Sequence, residues 1–103
     1  MDHLLAQLQE TLRGYAGKAL NGHTYLTSSE DNTIFGIVGV GTMQGQRFTV
    51  TGLVVRLEGN LIIIERDAND KPLVDALLQV GIPREQIILA YAGEPVPEFS
   101  LAS

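Results

Sequence analysis

The hydrophobic pattern changes period twice along the chain, and each change marks a boundary between element types. From Leu4 to Leu20 the apolar positions Leu4, Leu5, Leu8, Leu12, Tyr15, Ala16 and Leu20 step by three or four, the spacing of one buried stripe on a helix. Asp2 precedes the stripe as an N-cap, and Asn21-Gly22 closes it with residues that tolerate the left-handed conformation. The period then shortens. His23 to Thr27, Thr33 to Thr42, Arg47 to Leu57 and Leu61 to Arg66 are β-branched or alternating segments, separated by the turn clusters Ser28 to Asn32, Gln44-Gly45-Gln46 and Glu58-Gly59-Asn60. Strict alternation in the third places Phe48, Val50, Gly52, Val54 and Arg56 on one face and Thr49, Thr51, Leu53, Val55 and Leu57 on the other.

A second helix is punctuated by Asp70 as N-cap, Pro72 in the first turn and Gly81 just past the end, with Leu73, Val74, Leu77, Leu78 and Val80 as its buried side. Ile87 to Tyr91 reads as a last short strand, and Gly93 to Ser103, holding Pro95 and Pro97, as an extended tail. Together these elements predict an α+β fold. It has a four- to five-stranded, mainly antiparallel sheet with two helices packed on one face, in a single domain spanning residues 1–103.

Composition narrows the chemistry. With no cysteine among 103 residues, disulfides, thiolate metal sites and cysteine nucleophiles are excluded. The formal charge is −5, and the seven cations Arg13, Lys18, Arg47, Arg56, Arg66, Lys71 and Arg84 are scattered. Duplex DNA binding draws on clustered Lys and Arg, so none is expected of this chain alone. No uninterrupted apolar run approaches the roughly 20 residues of a membrane helix, and Met1-Asp2-His3 lacks the cationic start of a signal peptide. The expected location is the cytoplasm, without membrane contact.

Gly36-Ile37-Val38-Gly39-Val40-Gly41 has the spacing G-x-x-G-x-G, and a hairpin follows it rather than a helix. It therefore reads as close strand packing and not as a nucleotide loop. His3 and His23 are the only imidazoles, and neither has a carboxylate at ligand spacing. Glu65, Asp67 and Asp70 cluster where the fourth strand runs into the second helix, as a polar rim with a helix cap or as a contact for a cation or a basic partner. No catalytic residue, metal site or cofactor is expected. Apolar content on both faces of the sheet, with only two helices to cover them, predicts a homodimer or larger assembly.

The residues from position 43 onward carry a resemblance. Gln44-Gly45-Gln46-Arg47, then Gly52-Leu53-Val54-Val55-Arg56, then Glu58-Gly59-Asn60 leading into Leu61 to Asp67, resembles the XisI family of fdxN-element excision controlling factors. Leu77 to Tyr91, with its Gly81-Ile82-Pro83-Arg84 turn, is similar to the same family's helix, turn and following strand, and Pro97 to Ala102 to its C-terminal end. Met43 and Ile63 stand where family members tend to have tryptophan, and Ala68-Asn69 where they have glycine-threonine.

The resemblance implies a small cytoplasmic α+β protein of cyanobacterial type. Such a protein is needed for programmed excision of a DNA element and acts with an XisH-like partner of nuclease fold, without catalysis of its own. Candidate partner contacts are Arg47, Arg56, Glu65, Asp67 and Arg84. A second reading is a small acidic immunity or antitoxin-type protein that restrains a nuclease-fold partner. A third, enzymatic reading would use Glu65, Asp67 and Asp70 on a small molecule.

Overall fold

The computed structural model describes residues 3–97; Asp2, expected as a cap, and the tail from Glu98 to Ser103 lie outside the described residues. Helix α1 (His3–Arg13) buries Leu8 and Leu12 and leads into a sheet of six strands. These are β1 (Gly17–Ala19), β2 (Gly22–Ser28), β3 (Ile34–Met43), β4 (Gln46–Glu58), β5 (Leu61–Asp67) and β6 (Ile87–Leu89), lying side by side in chain order. Pairing from β1 to β5 is antiparallel, whereas β6 runs parallel to β5. Parallel neighbours need a crossover, and helix α2 (Leu73–Gln79) with a 3-10 turn at Arg84–Gln86 supplies it. The sheet thus has one strand more than the upper count expected from the sequence.

Both helices pack on one face. Leu8 and Leu12 of α1 and Leu73 and Leu77 of α2 share one core cluster with Phe35, Ile37, Leu53, Val55, Ile62, Ile64, Ile82 and Ile87. No buried polar or charged residue lies among the described residues. The core is an apolar slab with sheet on one side and helix on the other.

Four expectations need correction. The first helix stops at Arg13 and not at Leu20: Gly14, Tyr15 and Ala16 donate to the carbonyls three residues back, winding a tight terminal turn. Thr24 Oγ1 then accepts from Gly17 N and donates to Tyr15 O, drawing the chain into β1. Tyr15 and Ala16 still pack against the core, which is why the apolar spacing ran on, but Leu20 is 96% exposed. Asn21-Gly22 belongs to the β1–β2 turn region and does not end a helix.

The second correction concerns the cap of α2. Pro72, not Asp70, holds the N-cap position, and it has no side chain to offer. The carboxylate comes from the end of β5: Asp67 Oδ2 accepts from Leu73 N at 2.7 Å, while Oδ1 accepts from Asn69 N at 3.0 Å and Asn69 Nδ2 at 2.9 Å. Third, the buried side of α2 is Leu73, Ala76 and Leu77, whereas Leu78 and Val80 are exposed. Fourth, the last strand ends at Leu89, and Ala90–Ala92 forms a 3-10 turn. Arg84 and Glu94 fasten this end. Arg84 donates to Ile87 O and to Glu94 Oε2, and Glu94 Oε1 accepts from Leu89 N.

Two β-bulges change which face the side chains of β4 and β5 occupy. Between the pairs Ile37↔Leu53 and Val38↔Thr51 the residue Gly52 is left over, and between Val54↔Arg66 and Val55↔Ile64 the residue Glu65 is left over. Strict alternation along β4 therefore fails. Phe48 and Val50 lie on the helix side with Leu53 and Val55, while Thr49 and Thr51 lie on the opposite side with Val54 and Arg56. The bulge at Glu65 likewise turns Asp67 to the helix side, where it meets α2.

Truncating Leu77 to Ala, a residue fully buried against the sheet, is expected to cost about 2–5 kcal/mol. The same change at Val80, 47% exposed, should stay within about 0.5 kcal/mol; denaturant unfolding of the two variants checks the helix face.

The Glu94 clip predicts a pH dependence. The Leu89 amide, then the Arg84 side chain, hold the Glu94 carboxyl below its ordinary 4.5. A depressed carboxylate stabilises the fold fully above the ordinary value and loses that contribution as pH falls through and below it. The Glu94→Gln variant should melt below the parent at neutral pH, and the gap should close on acidification below 4.5. A gap unchanged by pH would show that the carboxylate charge has no part in the clip.

Candidate functional site

Two helices of 11 and 7 residues cannot cover both faces of a sheet whose central strands run 10 and 13 residues. The face away from them presents Tyr25 on β2, Ile34, Val38 and Val40 on β3, Thr49, Thr51, Val54 and Arg56 on β4, and Ile63 on β5. Tyr25 and Ile34 are exposed to 51% and 45%, and Val38, Val40 and Val54 are half-buried. The His23 and Tyr25 rings meet there, tilted by 41° with centroids 4.8 Å apart.

Arg56 is the polar centre of this face. Its Nε donates to Glu65 Oε2 at 2.9 Å, and its Nη1 lies 3.6 Å from Glu58 Oε1. It stands directly across from Ile63, which is fully buried on a face without a covering helix. Ile88 of β6 flanks Ile63 on its other side. A hollow of about 420 Å³ adjoins the cluster, lined by Asp31, Thr33, Ile34, Arg56, Leu57, Glu58 and Gly59. At its rim the Asp31 carboxyl is held below its ordinary value by hydrogen bonds from the Thr33 and Ser29 hydroxyls.

A second concavity of about 490 Å³ lies between α1 and α2 and is lined by Glu10, Thr11, Tyr15, Asp70, Lys71 and Val80, among others. Tyr15 donates its hydroxyl to Lys71 O at 3.0 Å, and burial followed by the charges of Asp67 and Asp75 raises its pKa above the ordinary 10.0. Raising keeps the phenol protonated. It is a hydrogen-bond donor there and not a base. Lys71 Nζ is itself occupied by Gln79 Oε1 at 3.4 Å.

Of the five expected contact residues, the structure brings Arg56 and Glu65 together on the open face. Arg47 reaches the same face at the far end of β4, through the bulge at Gly52, and donates to Thr42 Oγ1 at 3.0 Å. Asp67 and Arg84 are held by intramolecular partners, one capping α2 and the other clipping the end of β6. Glu65, Asp67 and Asp70 do not converge, because the bulge sends Asp67 to the opposite side from the ion pair of Glu65. Among the described residues no three His, Asp or Glu side chains are grouped to hold a metal ion, and no helix is long and apolar enough to cross a membrane. The glycines of β3 serve packing: a Cβ on Gly41 would run into the Asn21 carbonyl and the Phe48 ring.

Glu58 and the open-face valines are the features that sequence reasoning did not single out. Glu58 sits at the start of a hairpin loop, where an acidic residue is ordinary turn material. Its position beside Arg56 depends on how far the guanidinium reaches.

The fold has close counterparts among solved structures. A XisI-like protein from Anabaena variabilis ATCC 29413 superposes with a TM-score of 0.67 at 14% identity, covering 85% of this chain and 83% of its own. The fdxN element excision controlling factor XisI from the same organism superposes with a TM-score of 0.66 at 23% identity, covering 86% of this chain and 89% of its own. No curated protein matches the sequence. The XisI protein family model matches residues 2–100, nearly the whole length, and the chain belongs to the XisI family.

Proposed function

We propose that this chain is a non-catalytic accessory factor that controls excision of a DNA element by binding a protein partner in the cytoplasm, the partner being a nuclease-fold protein of the XisH kind. One of the superposed structures is an excision controlling factor, and the family supplies that part of the reading. The observation that favours a protein partner over DNA is where the cations are spent. Arg13, Arg56 and Arg84 are paired with Glu10, Glu65 and Glu94 at 2.8, 2.9 and 2.7 Å. Arg66 is bonded to Thr51 O and Arg47 to Thr42 Oγ1. A carboxylate beside a guanidinium competes with phosphate for the same donors, so little counterion release is left to drive duplex binding.

The open face suits a protein surface better. It offers aromatic and β-branched side chains around one arginine cluster, the composition of an interface core with a polar centre. A partner with its own basic cleft would be drawn by the chain's surplus of 12 acidic over 7 basic residues.

A mobility-shift titration with random duplex and with the element's border sequence, at physiological salt, should show no sub-micromolar binding by the isolated protein. Tight retardation of either duplex would overturn the reading in favour of direct DNA recognition.

A further inference from the structure

The uncovered face is polarised along its strands. At the end by the β3–β4 hairpin it carries Lys18 and Arg47, and residues 11–29 and 32–57 hold no carboxylate side chain. At the other end Asp31, Glu58 and Glu65 surround the guanidinium of Arg56. Between the two ends lie the exposed Tyr25 and the half-buried Val38, Val40 and Val54.

The geometry points to a second copy of this chain as the occupant of this face, the two sheets packed face to face and antiparallel about a two-fold axis at the level of the Gly52 bulge. Resting on the protein-partner reading above, this contact closes the face in the free chain until the partner takes the second copy's place.

A two-fold contact requires that groups which meet across it lie at equal distances from the axis. The ladder supplies two such pairs about the level of Ile37. Arg47 pairs with Thr42, five residues to one side of Ile37, and Glu58 stands two residues beyond the Arg56↔Ile34 pair, five levels to the other. Turned over about that level, Arg47 of each copy lies over Glu58 of the other. Both groups are available for it: Arg47 is bonded to a neutral hydroxyl, Thr42 Oγ1, and Glu58 is 3.6 Å from Arg56, whose Nε is taken by Glu65.

The second pair is steric. Gly36 and Val38 flank Ile37 on β3 and both belong to the open face, so Val38 of each copy comes over Gly36 of the other. Unlike Gly41, which the Asn21 carbonyl forces to be glycine, Gly36 would bring a Cβ no closer than 3.3 Å to Thr27 Oγ1 and 3.5 Å to Leu53 O. Its missing side chain leaves a notch that receives the valine.

Charge also fixes the orientation. Turned instead about an axis along the strands, the copies would set the Lys18 and Arg47 end over itself and the acidic end over itself, opposing like charges. The area agrees with a dimer that can be exchanged. From Arg47 to Glu58 the face is about ten residue levels, or roughly 33 Å, long, and from β2 to β5 it is roughly 15 Å wide. Two copies therefore bury about 1,000 Å² in total, the least that a specific interface needs, and a partner of better fit displaces one of them.

Sedimentation equilibrium across a concentration series should show the 11.2 kDa chain associating to twice that mass. Arg47→Glu and Glu58→Arg should each raise the dissociation constant about tenfold or more, because each sets like charges together across the axis, with circular dichroism unchanged. An equimolar mixture of the two variants should dimerise as the parent does, since each supplies the charge that the other lacks. A parent chain that stays at 11.2 kDa at every concentration overturns the proposal. So does a dimer indifferent to both reversals, or a mixture no tighter than its parts. These measurements contain no partner, so they decide the dimer whatever becomes of the partner reading. With an XisH-family protein added, the complex should hold a single copy of this chain; a complex that keeps the paired copies overturns the exchange, and absence of any complex overturns it together with the partner reading.

Discussion

The constraint on which this structure depends is a shortage of helix. A sheet with strands of 10 and 13 residues at its centre is covered on one face by helices of 11 and 7 residues, and on the other by neither. Placement of the core follows directly. Phe35, Ile37, Leu53, Val55, Ile62 and Ile64 lie where the helices can reach them, while Val38, Val40 and Val54 are left half-exposed on the far side. A folded chain rarely leaves that much β-branched surface without a use. The open surface is thus set by what the helices do not cover.

The two bulges tune this arrangement. Each inserts one residue, Gly52 in β4 and Glu65 in β5, and each reverses the faces of the residues beyond it. Without the second, Asp67 would point away from α2 and the orphan amide of Leu73 would lose its carboxylate; the loss of a helix cap costs about 1 kcal/mol. Glu65, as the extra residue, stays on the open face to meet Arg56. One irregularity in the ladder thereby serves a structural cap on one side and a charged cluster on the other. The arginines repeat the theme. Most are bonded within the chain, which leaves the acidic surplus unopposed outside it.

Much of this was legible in the residues. The β-branched run of β3, the Glu58-Gly59-Asn60 hairpin and the Pro72 and Gly81 punctuation of α2 are local signals, and each lies where the element lies. What failed is what depends on distance in space. Tyr15 and Ala16 kept a helical spacing because they pack on the core from a turn. The parallel pairing of β6 is a contact across the whole α2 crossover, which no local pattern reports. Gly52 in a strand did signal a bulge, and reading it as one would have put Phe48 and Val50 on the right face. The cap of α2 escaped because Asp67 lies six residues before the amide it serves. At the candidate site, Arg56 and Glu65 were named as separate charges, and only the ladder shows that they form one cluster.

Protein partnership through the uncovered surface is the central claim, and co-expression with an XisH-family protein tests it most directly. The account predicts that the two copurify as a stable complex through size exclusion at physiological salt. It further predicts that Arg56→Glu, which reverses the charge at the centre of the open face, weakens that complex while the free chain still folds. Two proteins that elute separately, from a preparation in which this chain alone retards duplex DNA, would contradict it.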